Sequence, residues 1–147
     1  MLEVLSPAGS SDALVAAVQN GADAVYLGCG SFNARMNAKN FTIEQLRQWV
    51  SYCHLRGVKV YLTLNTLVLD RELKSAAAEI LEASRAGVDA ILVQDLGVCQ
   101  LVKSLAPDVP IHASTQMAVH NLDGVLRAAE MGITRVVLAR ELSHDQI

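Results

Sequence analysis

The chain has 147 residues, with 12 Lys and Arg against 15 Asp and Glu and a formal net charge of −3. That length suits one domain with a sizeable core, and the charge argues against bulk binding to a polyanion while leaving room for a local basic patch. Apolar residues make up 52% of the chain, above the usual range of about 45–50%, yet no apolar run approaches the roughly 18 residues of a membrane span.

With a mean hydropathy of +0.30, the chain suits a sheet covered on both faces, or a piece of a larger domain. Met1-Leu2-Glu3 leads almost at once into a strand, so no secretory signal is expected. Cys29, Cys53 and Cys99 are widely spaced and odd in number. They signal neither a disulfide framework nor a zinc site, and a reducing cytoplasm is the expected location.

Leu2–Leu5 is predicted as the first strand, turned over by Ser6-Pro7-Ala8-Gly9. Ser10 or Ser11 caps a helix reaching Asn20, with Leu14, Ala17 and Val18 inward. Asp23–Leu27 is the second strand, and a polar loop, Gly28 to Asn40, follows it. Thr42 and Gln45 form a capping box for a helix whose stripe is Leu46, Trp49, Val50 and Cys53. Val58–Leu64 is the third strand, and Asp70 starts a helix packing through Leu73, Ala77, Ile80 and Leu81. Ala90–Val93 is the fourth strand, followed by a helix with Val98, Leu101, Val102 and Leu105 inward. Pro107 and Pro110 bracket the connection to a fifth strand at Ile111–Ala113. Asn121 caps the next helix, and Arg135–Leu138 is the sixth strand.

The strands share one cassette: a helix-closing glycine, an apolar run, then polar residues, as in Gly87-Val-Asp-Ala-Ile-Leu-Val-Gln-Asp95. Glycine suits the left-handed turn after a helix, and a run apolar on both faces suits a buried parallel strand. Strict alternation of six such β-α units predicts an α/β fold with a parallel sheet and right-handed crossovers. Length alone favours an open sheet, since a barrel needs about 250 residues. Ser143-His-Asp-Gln146, however, is a capping box with no helix after it. The expectation is therefore one domain over residues 1–147, a truncated N-terminal part of a (β/α)8 barrel. It holds six parallel β-α units, lacks the last two, and leaves edges prone to self-association.

In such folds ligands bind beyond the carboxyl ends of the strands. Ser6, Gly28, Asn65, Gln94, Asp95, Ser114, Thr115, Gln116, Arg140 and Glu141 collect there. They are a binding rim, or simply the caps and turns that favour these residue types; Asp95 in particular fits a helix cap. Arg140 follows an apolar run, so its guanidinium meets either an anionic ligand or a structural partner such as Glu141 or Asp95. Arg35 and Lys39 extend that positive face or are merely solvated. His112, inside a strand, is either a core histidine or a functional one. A triad with Ser114 and Asp95 lacks the Gly-x-Ser-x-Gly elbow. Gly28-Cys29-Gly30 is no dinucleotide fingerprint, because the third glycine and the immediate helix are missing.

Several stretches together resemble the collagenase-like peptidase family, the thirty-second of the unassigned class. They are Leu5-Ser-Pro-Ala-Gly9, Gly21-Ala-Asp-Ala-Val-Tyr-Leu-Gly28, Phe32-Asn-Ala-Arg35 with Asn40-Phe41, Thr63-Leu-Asn-Thr66, Val93-Gln-Asp95, His112-Ala-Ser-Thr-Gln116 and Val137-Leu-Ala-Arg-Glu-Leu142. The resemblance implies the N-terminal part of a TIM-type barrel in a longer protein. It implies a role in RNA hydroxylation, of a transfer-RNA uridine with prephenate or of a ribosomal-RNA cytidine. The substrate-binding set expected from the strand-end positions is then Arg140, Glu141, Arg35, Asn65, Gln94, Asp95, His112, Ser114 and Gln116. It also implies a [4Fe–4S] cluster on four downstream cysteines, none of them Cys29, Cys53 or Cys99. The alternatives are a peptidase whose catalytic group lies in the missing half, or a non-catalytic partner subunit. The residues present show no metal-ligand spacing, nucleophile elbow or carboxylate dyad.

Overall fold

A computed structural model describes residues 2–34 and 40–147. Six parallel strands form one sheet in chain order: β1 (Leu5–Pro7), β2 (Ala24–Gly28), β3 (Lys59–Leu64), β4 (Ala90–Val93), β5 (Ile111–Ala113) and β6 (Ile133–Val136). Between them run α1 (Ser11–Gln19), α2 (Ile43–His54), α3 (Leu73–Ala86), α4 (Leu96–Leu105) and α5 (Leu122–Glu130). Consecutive strands pair because each helix returns the chain to the same end of the sheet, the right-handed β-α-β habit. No described helix is long and apolar enough to cross a membrane.

The caps fall where the sequence places them. Ser10, Thr42, Asp95 and Asn121 accept from the backbone N–H groups of Ala13, Gln45, Val98 and Gly124, and Thr42 and Gln45 complete their capping box. Gly87 closes α3 at φ +84°, a conformation that would strain any side chain.

Alternate strand residues face two different cores. Val25, Leu27, Val60, Leu62, Ile91, Val93, Ile111 and Ile133 pack outward under the helices. Ala24, Tyr61, Ala90 and Leu92, with Leu5 and Tyr26, form a smaller cluster on the other face. That division is the period of two expected of a pleated strand covered on both sides. The larger core carries most of the burial; the inner face carries the polar residues.

Three boundaries differ from the sequence expectation. β1 lies later, at Leu5–Pro7, because Ser6 and Pro7 still pair with Val25 and Tyr26; proline is tolerated on an edge strand. β6 lies earlier, at Ile133–Val136, where Ile111 pairs with Ile133 and a register shift follows before His112 meets Arg135. The segment from Asp70 begins as a 3-10 turn over Asp70–Glu72, so Leu73 is 36% exposed and the buried stripe becomes Ala76, Glu79, Ile80 and Ala83.

Candidate functional site

A cavity of about 410 Å³ opens at the carboxyl ends of the strands. Leu5, Tyr26, Leu92 and Val137 supply its apolar surface, and Thr63, Asn65, Ser114, Thr115 and Gln116 line the strand ends. Gly28, Asn33, Ala34 and Asn40 wall one side, and Arg140 joins from beyond β6. Among the described lining residues Arg140 is the one formally charged side chain, and it makes no ion pair with any described residue.

Asn65 organises this end of the molecule. Its Oδ1 accepts from the Ala34 N–H at 3.0 Å, and its Nδ2 donates to Ser114 Oγ at 3.1 Å. Ser114 Oγ also accepts from the Gln116 N–H at 3.3 Å. One amide thus joins the loop after β2, the end of β3 and the end of β5. Thr63, beside it, donates to the Leu27 carbonyl at 3.0 Å. The turn after Ser114 ends at Ala118 with φ 56°, a left-handed conformation that costs an L-residue about 1–2 kcal/mol.

Of the residues expected from sequence, Asn65, Ser114, Gln116 and Arg140 meet in the cavity. Gln94, Asp95, His112 and Glu141 do not line it. Asp95 is a cap: Oδ1 accepts from the Val98 N–H at 3.0 Å and Oδ2 from the Val68 N–H at 3.4 Å. Glu141 is exposed on a turn. Arg35 and Lys39 lie outside the described residues. Asn33, Asn40, Thr63 and Tyr26 line the cavity without being expected as site residues, although all four stand in stretches that carry the family resemblance.

His112 belongs to a deeper layer, toward the amino ends of the strands. It is 6% exposed and meets Tyr61 edge-on, with ring centroids 4.9 Å apart. Burial, then Arg135 and more weakly Lys59, push its pKa down to about 4 against an opposing pull from Glu3, so the imidazole is neutral at pH 7. Tyr61 donates to Glu3 at 3.0 Å, Lys59 lies 3.6 Å from Glu3, and Arg135 pairs with Glu3 and sits over the Tyr61 ring. The Arg135 hydrogen bond holds the Glu3 carboxyl below its usual range. No described hydrogen bond joins His112 to Ser114 or Asp95, so these three do not form a triad.

On the helix side of the sheet, Glu79 of α3 is buried at 7% exposure, and its Oε1 has no hydrogen-bond partner. Burial raises its pKa to about 7. Nothing in the sequence marks it, because glutamate on a helix reads as solvent-facing. The three cysteines are also buried and free. Burial pushes the Cys29 thiol up to about 12 and Cys53 to about 11, and raises Cys99. Iron–sulfur ligation needs thiolates converging on one point. These thiols resist ionisation, lie on the β2 loop, α2 and α4, and join no described cluster able to hold a metal. They do not fit as cluster ligands.

Comparison with known proteins bears on the family and the fold. The chain is 40% identical to the 23S rRNA 5-hydroxycytidine synthase of Escherichia coli, covering 99% of this chain and 22% of that protein. It is 44% identical to an uncharacterized protease of Methanocaldococcus jannaschii, covering 100% of this chain and 35% of that one. It is 39% identical to tRNA hydroxylation protein P of Helicobacter pylori, covering 97% and 34%. The chain thus spans about a third or less of these relatives. Among solved structures, a U32 peptidase superposes with a TM-score of 0.72 over 94% of this chain and 58% of its own, at 15% identity, a likeness of fold. The pattern of peptidase family U32 matches residues 9–147, and the chain belongs to that family.

Proposed function

We propose that this chain is the barrel part of an RNA-hydroxylating protein and that its strand-end cavity receives an anionic substrate. Arg140 carries the reading. It is a guanidinium without an ion pair among the described residues, in a cavity whose other described walls are amides, hydroxyls and apolar groups. A guanidinium gives phosphate or carboxylate a two-point seat. The hydroxyls and amides along the strand ends can meet the edge of a base, and the apolar floor excludes water. The hydroxylation names of two relatives point to RNA, and one of them to a cytidine as the modified base. Prephenate, a dicarboxylate, would be a further anion for the same seat. In this reading the described residues bind and orient; a [4Fe–4S] cluster would be held by cysteines other than the three present. The open edges of β1 and β6 would be association surfaces.

The test is calorimetric titration of the intact protein with uridine monophosphate and with prephenate, before and after Arg140→Lys. Lysine keeps the charge but loses the planar fork. Affinity for the bound anion should fall by about 5- to 150-fold, the scale of a charged hydrogen bond, with little change in melting temperature. A lowered melting temperature with unchanged affinity for both anions would make Arg140 structural and end the proposal.

A peptidase reading has the protease-named relative in its favour. Its catalytic group would have to come from outside these residues, since Ser114 Oγ is engaged by Asn65 and Gln116. Gelatin hydrolysis by the intact protein that survives Arg140→Lys would favour it.

A further inference from the structure

The segment that walls the cavity, residues 28–34, is folded tightly on itself and packed against α3. On the cavity side, Asn33 lies so close that a Cβ on Gly28 would stand 2.6 Å from its Cγ. On the helix side, a Cβ on Gly30 would stand 2.5 Å from Glu79 Oε2. Gly30 has φ +57°, so the backbone there is shaped around that carboxyl. Cys29, between them, donates to the Phe41 carbonyl at 3.2 Å, and the Phe41 N–H returns a bond to Gly28.

A carboxyl in this position has two states of very different cost. Neutral, it packs against Gly30 and carries only the smaller cost of an unpaired polar group. Ionised, it is a buried charge whose Oε1 has no donor, an arrangement that favours any movement admitting water. Among the described residues, the titratable group facing it from the loop is Cys29, whose thiol stays neutral; Glu44 of α2 acts on Cys29 and not on Glu79. No charged group of α2, α4 or the strands offsets the effect of burial on Glu79.

We propose that Glu79 is a positioning residue for the strand-end cavity: its neutral carboxyl seats the 28–34 segment as the cavity wall, and its ionisation releases that wall. The importance of the wall rests on reading the cavity as the binding site; the coupling of Glu79 to the wall does not. The sign follows from burial. Glu79 is raised from 4.5 to about 7 in the folded protein, so the seated state holds the proton more tightly than the released one. Seating is strongest below pH 4.5, weakens as pH rises toward 7, and is constant above.

The test uses the intact protein without ligand. Amide exchange of residues 28–34, corrected for intrinsic rates, is followed from pH 5 to pH 8.5 in wild type and in Glu79→Gln. Emission of Trp49, the single tryptophan, is followed alongside, because its ring lies edge-on to Phe41 at 5.9 Å. Wild-type protection should fall by about tenfold per pH unit up to about pH 7 and then level off, as one-proton linkage requires. The Glu79→Gln profile should be flat. Should that variant fold poorly, the carboxyl carbon of Glu79 in wild type, followed by carbon-13 resonance, must titrate together with the exchange. A flat wild-type profile, the same slope in Glu79→Gln, or a carboxyl titration out of step with the exchange would overturn the proposal. Failure of the anion titrations would leave these readings unchanged, so the two ideas fail separately.

Discussion

Replacing Asn65 by Ala removes two hydrogen bonds at once, one to the Ala34 N–H and one to Ser114 Oγ. Ala34 is exposed and turns to water, but Ser114 is 2% exposed and keeps only the Gln116 N–H among these donors. The expected loss of stability is about 1–3 kcal/mol, measured by urea unfolding. Asn65→Asp should cost clearly less. Its oxygen still accepts from Ala34, and the Ser114 hydroxyl can rotate to donate to the carboxylate. Equal losses for the two variants would show that the bridge to Ser114 does not depend on hydrogen bonding. The residue types at the strand ends were readable because apolar runs stop there. Which of them face the cavity was not: Gln94 and Glu141 end strands as Asn65 and Gln116 do, yet only the latter two line it. Glu79 was hidden for a related reason, since its burial comes from a loop some 50 positions earlier.

At the scale of elements, local chemistry was legible and phase was not. A cap needs only a side-chain oxygen two or three residues before an N–H, so Ser10, Thr42, Asp95 and Asn121 could be named from sequence. The stripe of α3 slipped because a 3-10 turn winds with about 3.0 residues per turn rather than about 3.6, rotating Leu73 outward and Glu79 inward. Asp95 gives the prediction proper to this scale. Its two oxygens tie the start of α4 to the Val68 N–H of the loop after β3. Asp95→Ala should cost about 1–2 kcal/mol by thermal unfolding, and Asp95→Asn should recover most of it, because the amide oxygen still caps. If both variants instead lose anion binding with no change in melting temperature, Asp95 contacts the ligand and its reading as a cap is wrong.

For the molecule as a whole, strand order and the division between outer and inner faces followed from alternation and pleating, whereas the polar layer around Glu3 did not. Its members come from the residues before β1 and from β3, β5 and β6, and no local pattern links them. Arg135 of β6 reaches Glu3, 132 residues away in sequence. Exposed ion pairs of this kind add about 1 kcal/mol or less at equilibrium, so the contact matters little as a source of stability. It matters in time. Joining Arg135 to Glu3 closes a loop of 132 residues, a cost best offset once the intervening units are in place, so this contact is expected among the last to form and the first to break. Arg135→Met should therefore leave the refolding rate nearly unchanged and speed unfolding by up to about fivefold, as stopped-flow chevrons would record. A slowed refolding limb would mean that β6 and the residues before β1 meet early. If they meet late, the nascent chain stays open at its amino-terminal mouth until β6 has been synthesised, and the age of a folding molecule can be read from that one ion pair.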